Sequence, residues 1–199
     1  MGETDGSRQM VVARTQPKQR LTLEEFLALP EEKPALEYLD GVVTQKVSPE
    51  RGHSEFQYVI PERINTFAYP RKLAFAFPEL RTTLGGASFV PDVAVYRWDR
   101  IPRTRTARGT IDVSTPPDIA IEIASPGQGR RALLDRCRWY VEHGSRLALL
   151  VDPRRRTIDV VRAGAEPVTL RGNDVLDLGE VVPGLTLVVS DLFSALSFD

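Results

Sequence analysis

Cysteine is nearly absent from this chain, because Cys137 is the single one among 199 residues. One cysteine cannot form an internal disulfide, and it excludes a zinc site built on several thiolates. Histidine is also scarce: His53 and His143 are the two copies, and they lack the close spacing of paired zinc ligands. The sequence therefore excludes a disulfide-stapled fold and argues against a zinc centre.

Long hydrophobic runs are missing as well. No stretch approaches the roughly 18 apolar residues that a membrane span requires, and the first 20 residues contain no hydrophobic segment of the kind that directs secretion. We therefore expect a cytoplasmic protein with no membrane partner. Residues 1–20 show no apolar periodicity and are predicted to be a flexible leader, whereas residues 21–199 are predicted to form a single domain.

Net charge is almost zero, at −1, but the charge is unevenly distributed along the chain. Residues 97–156 carry 13 arginines and 7 acids, whereas the segments before and after are both net negative. A neutral total argues against a protein that coats nucleic acid by bulk charge. The basic middle, with Trp98 and the arginines at 97, 100, 103, 105 and 108, indicates either a nucleic-acid-binding loop or a solvated surface loop.

Helical and strand-like segments alternate along the sequence. Thr22 and Glu25 form a capping box that predicts a short helix through Leu29, and Asp40-Gly41 predicts a tight β-hairpin. Longer helices are predicted at 53–68 and 130–143, strands at 73–77, 79–84, 89–96, 119–123, 147–151 and 157–161, and a last short helix capped by Ser190. This order predicts an α/β or α+β domain in which helices flank a mixed sheet.

Three carboxylates lie at or near the predicted strands. Glu122 interrupts the apolar run 119–123, where an ionised carboxylate is costly unless a positive charge compensates it. Asp92 follows Pro91 at the start of another apolar run, and Glu79 begins a third. Each has a structural explanation, as an arginine-paired glutamate or a turn residue, but acids at neighbouring strand ends also suit Mg²⁺ or Mn²⁺.

An ordered set of short motifs resembles the Uma family of restriction-endonuclease-like proteins, a branch of the PD-(D/E)XK nuclease superfamily. The resemblance covers about residues 21–196. The motifs are Glu37-Tyr38-Leu39-Asp40-Gly41, Ser48-Pro49, His53, Val90-Pro91-Asp92-Val93-Ala94, Pro117-Asp118-Ile119-Ala120-Ile121-Glu122-Ile123-Ala124-Ser125-Pro126, Tyr140 and Leu150-Val151-Asp152-Pro153. The resemblance implies a restriction-endonuclease-like core and an N-terminal β-hairpin. It also implies metal-dependent hydrolysis of phosphodiester bonds in nucleic acid, most readily DNA.

The same resemblance implies roles for individual residues. Asp92 and Glu122 correspond to the metal-binding acids of the superfamily and would hold Mg²⁺ or Mn²⁺, with Glu79 as an auxiliary acid. Glu37 matches a further family acid, although a solvated hairpin residue would look the same. A homodimer is also plausible for such a protein.

The chain departs from the family pattern at its third functional residue, a lysine that orients the attacking water. Ala124 stands two residues after Glu122, where the superfamily has that lysine. On the following helix, where this branch carries it, the chain has Arg136, and Ala132 replaces the aspartate that precedes it. Lys46 on the hairpin could replace it or be an exposed edge-strand lysine. The departure leaves open, as the alternative, a catalytically impaired module that binds nucleic acid or protein and retains the nuclease fold.

Further contacts with nucleic acid are predicted at the start of the helix over 130–143. A helix N-terminus offers backbone N–H donors to a phosphate, and Arg130 and Arg131 add two guanidinium groups. Arg136 and His53 complete the predicted nucleic-acid-binding set. An ordinary helix-entry turn explains Arg130 and Arg131 equally well, and a histidine at a helix start, such as His53, is usually not a substrate contact.

Overall fold

The computed structural model describes residues 20–101 and 114–194. The predicted leader, apart from Arg20, lies outside these ranges, and so do the loop arginines at 103, 105 and 108. In the described ranges, no helix combines the length and the apolar character needed to cross a membrane.

The N-terminal elements follow the sequence signals closely. Thr22 accepts a hydrogen bond from the backbone of Glu25 at 3.2 Å and donates its own N–H to that carboxylate at 2.7 Å, which confirms the capping box. Helix α1 spans Leu23–Leu27, two residues shorter than predicted. Strands β1 (Leu36–Leu39) and β2 (Val42–Gln45) then form the predicted antiparallel hairpin.

The first sheet has four strands in the order β2-β1-β5-β4, where β4 is Thr82–Leu84 and β5 is Ala87–Phe89. The single strands predicted over 79–84 and 89–96 are wrong. Glu79 lies in a turn with a positive φ of 48°, so β4 begins only at Thr82. The second run divides at Pro91, which has no N–H for a sheet ladder, and continues as a strand of a different sheet.

The central sheet has six strands: β3 (Ala74–Pro78), β6 (Val93–Arg97), β7 (Ile119–Ile123), β8 (Leu147–Asp152), β9 (Thr157–Val161) and β10 (Val168–Arg171). Their order across the sheet is β10-β9-β8-β7-β6-β3. Its one parallel pair, among the described strands, is β7 with β8, and helix α3 (Arg130–Glu142) connects them as the crossover. The predicted mixed sheet between helices is confirmed.

Helices cover both faces of the central sheet. Helix α2 (Arg51–Ala68) packs on one face, and Pro61 is buried within it without ending it. The C-terminal elements complete that layer, and α3 covers the opposite face. The remaining elements are β11 (Val175–Asp177), β12 (Thr186–Val188) and α4 (Val189–Ser194). Because α4 begins at Val189, the prediction that Ser190 caps it is wrong: Ser190 lies inside the helix.

Side-chain alternation on β7 decides where its glutamate points. Ile119, Ile121 and Ile123 belong to the core beneath α2, whereas Ala120 faces α3. Glu122 shares that second face, because side chains two residues apart lie on the same side of a strand. The fold thereby places a carboxylate between the sheet and α3.

Candidate active site

Asp92 lies where the chain leaves the small sheet and enters the central one. Its side chain is almost fully buried. One carboxylate oxygen, Oδ2, accepts the backbone N–H of Ile123 at 2.7 Å, so the carboxylate is fixed to the end of β7. The other, Oδ1, lies 2.6 Å from Nζ of Lys46 and 3.2 Å from Nε2 of His53.

Lys46 follows the hairpin directly and reaches across to Asp92. Its Nζ also donates to the carbonyl oxygen of Val90 at 2.7 Å. Burial alone would lower the pKa of Lys46, but the neighbouring charges, chiefly that of Asp92, raise it overall. Burial alone would likewise raise the pKa of Asp92, but the hydrogen bond from His53 and the charge of Lys46 lower it. Both groups are therefore ionised at neutral pH.

His53 joins two parts of the site. The ring stands in the first turn of α2 and is buried. Its Nδ1 lies 2.8 Å from Oγ of Ser125, in addition to the contact between Nε2 and Asp92. Both ring nitrogens thus have partners inside the protein, and the histidine holds the carboxylate in place. Its contact with nucleic acid stays a prediction.

Glu122 is the second buried carboxylate of the site. Its Oε1 accepts a hydrogen bond from the hydroxyl of Tyr140 at 2.9 Å and lies 3.8 Å from Nη1 of Arg136. Burial, followed by the negative charge of Asp92, raises the pKa of Glu122 to about 7, against the lowering effect of Arg136 and Lys46. This carboxyl therefore keeps its proton to a higher pH than an ordinary glutamate does.

Arg136 on α3 makes its closest ion pair with Glu37 on β1. Nη1 of Arg136 lies 2.7 Å from Oε2 of Glu37, and the guanidinium packs over the ring of Phe89, 4.6 Å from its centroid. Glu37 also accepts the N–H of Val90 at 3.0 Å, two residues before Asp92. This pair links the hairpin sheet, α3 and the segment that carries Asp92.

The buried position of Glu37 was not predicted from its strand pattern. A half-buried hairpin would leave one side of β1 in water, but Glu37 and Tyr38 are neighbours and both are buried. The resemblance to the Uma family was the only signal that singled out Glu37. The role of the Tyr140 hydroxyl was missed, although its spacing of four residues from Arg136 places the two on one helix face.

A cavity of about 200 Å³, called the small cavity below, brings the predicted groups together. Three buried carboxylates (Asp92, Glu122 and Glu37) and both candidate cations (Lys46 and Arg136) open onto it. The lining residues are Glu37, Thr44, Gln45, Lys46, Val47, His53, Asp92, Glu122, Ser125, Gln128, Gly129, Ala132, Leu133 and Arg136. The edge-strand alternative for Lys46 is excluded, because only 11% of its side chain is exposed.

Glu79 is not brought into the small cavity. Its backbone N–H donates to the carbonyl of Asp92 at 3.2 Å, but its side chain is exposed at the turn after β3. The expectation that Glu79 begins a strand is therefore wrong, since the positive φ at this residue ends the strand path. Within residues 20–101 and 114–194, no group of three or more histidine, cysteine or acidic side chains is arranged to hold a metal.

The arginines at the start of α3 lie outside the small cavity. Arg130 pairs with the buried Asp159 on β9 at 2.7 Å, which explains its position structurally. Arg131 is 96% exposed and lies 4.0 Å from Asp135. Both remain predicted contacts with nucleic acid, and only Arg131 is almost fully accessible to a partner.

The described part of the arginine-rich loop is occupied by contacts within the protein. Arg97 and Arg100 both contact the buried carboxylate of Asp118, at 3.4 and 2.5 Å. Trp98 packs edge-on against Tyr69, with ring centroids 5.5 Å apart. These residues stabilise the end of β6, and their exposed edges are the part left for a partner.

The donor set of the small cavity fits a hard divalent cation. Mg²⁺ typically takes one or two protein carboxylates and completes its shell with water and phosphate oxygens. Asp92 and Glu122 supply two, and the negative charge of Asp92 raises the pKa of Glu122. A dication would relieve that repulsion, so the pair suits Mg²⁺ or Mn²⁺ better than a lone buried acid would.

Comparison with known proteins identifies the family. The profile of Uma2, described as "Putative restriction endonuclease", matches residues 23–190. The chain belongs to the Uma2 family. The resemblance drawn from the motifs is thereby confirmed, and Uma2 membership supports a nuclease-like function. Restriction-endonuclease-like nucleases generally use divalent metals and act on nucleic acid.

A solved structure supports the Uma2 fold. The crystal structure of "a putative nuclease belonging to DUF820" from Anabaena variabilis superimposes with a TM-score of 0.81 and 37% sequence identity. The match covers 89% of this chain and 99% of that one, so the two share their fold over most of this chain. This neighbour confirms the predicted nuclease-like architecture.

A second, partial similarity concerns a protein of another kind. The capsule polysaccharide export outer membrane protein CtrA of Neisseria meningitidis, including its serogroup B strain MC58, is 29% identical to this chain over 110 residues. The match covers 54% of this chain, and the chain spans only 28% of the length of CtrA. A similarity to so small a part of CtrA assigns no function to this Uma2 protein.

Proposed function

We propose that this protein is a Mg²⁺- or Mn²⁺-dependent endonuclease that hydrolyses phosphodiester bonds in DNA. One observation carries the proposal: two buried carboxylates, Asp92 and Glu122, and two cations, Lys46 and Arg136, open onto the same small cavity. Family membership supports a nucleic-acid substrate. The combination of a site for a dication with positive charge beside it suits a phosphodiester.

Asp92 and Glu122 would hold the metal ion. When bound, the metal would lower the pKa of a water molecule and neutralise charge developing on the phosphate. Asp92 is prepared for this role, because its hydrogen bonds to Ile123 and His53 fix its position. Glu122 is held by Tyr140 and gives up its proton near pH 7.

Lys46 is the better placed replacement for the superfamily lysine. An ammonium group has three N–H donors, and among the described residues two acceptors contact Nζ: Asp92 and the carbonyl of Val90. One donor is left to orient a water molecule or to contact a phosphate oxygen. Arg136 is bound to Glu37 and contributes a fixed positive charge beside Glu122.

Nicking of supercoiled plasmid DNA tests the proposal. We expect cleavage with Mg²⁺ or Mn²⁺, none with EDTA, and a rate at least about 100-fold lower for Asp92→Asn, which removes a charge that the metal needs. Asp159→Asn is a matched control, since Asp159 is equally buried but lies outside the small cavity. Equal cleavage by native protein and Asp92→Asn, both verified as folded, would reject this site.

One observation favours a second candidate, a binding module that has lost catalysis. Both cations already contact carboxylates, Lys46 with Asp92 and Arg136 with Glu37, so the charges neutralise one another without a metal. Titration with Mn²⁺ separates the candidates. Retention of DNA without measurable Mn²⁺ binding would support the binding module, whereas Mn²⁺ binding that Asp92→Asn abolishes would support the nuclease.

The proposal includes a cytoplasmic homodimer that acts on DNA rather than RNA. Plasmid and single-stranded RNA substrates presented at equal nucleotide concentration test the preference for DNA. Analytical ultracentrifugation of the purified chain tests the dimer, and fractionation of the source cells tests the location. A monomer would remove the dimer from the proposal without affecting the site.

A further inference from the structure

A second and larger cavity lies directly beside the small one. Its volume is about 680 Å³, and it is called the large cavity below. Four residues line both cavities: Lys46, Val47, His53 and Asp92. Asp92 and Lys46 therefore lie between two cavities of different size.

The two volumes suit different parts of a substrate. Binding sites for small organic molecules usually measure about 300–1,000 Å³, so the large cavity, at about 680 Å³, is in that range and the small cavity, at about 200 Å³, is below it. The small cavity has room for a phosphate group and a few waters, each of which takes about 30 Å³. Only the large cavity has room for a nucleoside.

The walls of the large cavity combine seven apolar residues with eight that are charged or histidine. The apolar part of this lining can cover the faces of a flat, uncharged group, and the charged part can bind its polar edge. The apolar lining residues come from the segment before β1, the segment after β2, the turn after β3 and the entry to β6: Pro34, Ala35, Val47, Pro49, Pro78, Leu80 and Val90.

The charges around the large cavity disfavour a phosphate. Glu31, Glu32 and Glu79 are exposed at its edge and face only one exposed cation, Lys33, among the described lining residues. The remaining arginine, Arg81, donates to the carbonyl of Leu36 at 2.9 Å and packs over Phe26. Lys33 is therefore the one exposed cation that the described lining of the large cavity offers to a polyanionic backbone, and the three exposed carboxylates oppose such a backbone.

We propose that the large cavity is a nucleoside subsite that takes the base next to the scissile phosphate, while the phosphate itself lies in the small cavity. This inference rests on the proposed function and specifies how its substrate lies. The base has to be unpaired or turned out of the duplex to enter, as in other enzymes that bind single bases in pockets. The carboxylates at the edge can accept N–H groups of such a base.

A two-way comparison of protein variant and substrate base tests the subsite. Binding is measured by fluorescence anisotropy in EDTA, with a short deoxycytidine homopolymer and with an abasic polymer of the same length. We expect native protein to bind the base-containing polymer about tenfold more tightly. Leu80→Trp, which fills the large cavity, should remove that difference and leave the affinity for the abasic polymer unchanged.

Two further variants make the comparison specific. Ala35→Phe fills the large cavity from a different segment, the one before β1, so the same loss rules out a local defect at Leu80. Val42→Trp is the control, because Val42 is exposed on the hairpin and lines neither cavity. The salt dependence of binding should be the same in all of these variants, since none removes a phosphate contact.

The outcomes separate this inference from the nuclease proposal. If native protein binds both polymers equally, or if Leu80→Trp and Ala35→Phe weaken both equally, there is no base subsite. Every binding measurement is made without metal. A protein that fails to cleave plasmid DNA can therefore still show the preference for the base-containing polymer. Conversely, a protein that cleaves plasmid DNA but binds the base-containing and abasic polymers equally would support the proposed function and contradict only the subsite.

Discussion

At the scale of single residues, the pKa of each buried carboxyl depends on how close the nearest positive charge lies. Asp92 has Lys46 and His53 beside it, and its pKa is lowered despite burial. Glu122 has Arg136 only at 3.8 Å, and burial raises its pKa to about 7. Two carboxylates that face one cavity thus differ in protonation, because the nearest cations are distributed unequally between them.

This difference predicts how stability depends on pH in the absence of metal. The pKa of Glu122 is about 7 in the folded protein and 4.5 ordinarily, so folding favours its protonated form. The resulting stability is complete below pH 4.5 and is lost as pH rises through 7. Glu122→Gln removes this loss, and we expect it to be more stable than native protein at pH 8 by an amount on the order of 2–3 kcal/mol.

Urea denaturation in EDTA at pH 5, 6, 7 and 8 (roughly the span of the Glu122 titration) measures the effect. The difference between Glu122→Gln and native protein in the free energy of unfolding should grow from pH 5 to pH 7 and level off towards pH 8. Glu62→Gln is the control, since Glu62 is a partly exposed glutamate on α2 with 39% of its side chain accessible. Parallel curves for native protein and Glu122→Gln would show that Glu122 titrates at its ordinary pKa.

At the scale of elements, the ion pair between Glu37 and Arg136 connects β1 to α3. Glu37 also accepts the N–H of Val90, so one buried carboxylate joins the hairpin, the helix and the segment before β6. Removing one member of a buried pair leaves the other charge unpaired and costs several kcal/mol, whereas removing both costs less than the sum. The pair should therefore show strong coupling.

A double-mutant cycle checks this coupling. We expect Glu37→Gln and Arg136→Met each to lower the free energy of unfolding by about 2–4 kcal/mol, with the double variant less destabilised than the sum by at least about 1 kcal/mol. The exposed pair of Arg138 and Asp135, 2.8 Å apart on the same helix, is the matched control and should couple by less than about 0.5 kcal/mol. Simple additivity at Glu37 and Arg136 would contradict the structural role.

Local signals in the sequence predicted the elements well and their partners poorly. The capping box at Thr22, the Asp40-Gly41 turn and the helix that ends before Gly144 follow from interactions within a few residues. The division of the 89–96 run between two sheets does not, because it depends on distant strands that pair on each side of Pro91. The burial of Glu37 could not be predicted for the same reason, because its partners Val90 and Arg136 are 53 and 99 residues away in the sequence.

The sequence predicted the residue types of the candidate site, but only some of the residues that line it. Asp92, Glu122 and the two alternative cations were named from residue type and family pattern, and the structure places all four around one cavity. Glu79 was added because it precedes a strand-like run, and its positive φ instead turns it outward. A carboxylate in a turn and a carboxylate at a strand start look alike in the sequence. The direction of the backbone distinguishes them, and that direction is visible only in the structure.

At the scale of the whole molecule, binding of a metal at one pair of carboxylates should stabilise the entire fold. A ligand that binds only the folded state adds RT ln(1 + [L]/Kd) to its stability, or about 2.7 kcal/mol at 100 times Kd. For a chain of 199 residues, that corresponds to a rise in Tm of roughly 5–10 °C. The linkage applies because Asp92 joins the two sheets, so the site exists only when both are assembled.

Thermal melts with Mn²⁺ over a range of concentrations test this linkage and define the ligand set. Asp92→Asn and Glu122→Gln should each abolish the rise in Tm, because each removes half of the donor pair. Glu79→Gln should retain it in full, since the exposed side chain of Glu79 lines the large cavity and not the small one. A rise that survives Asp92→Asn would place the metal elsewhere, and one that Glu79→Gln reduces would restore Glu79 as a ligand. The melts need no substrate, so they separate metal binding from catalysis.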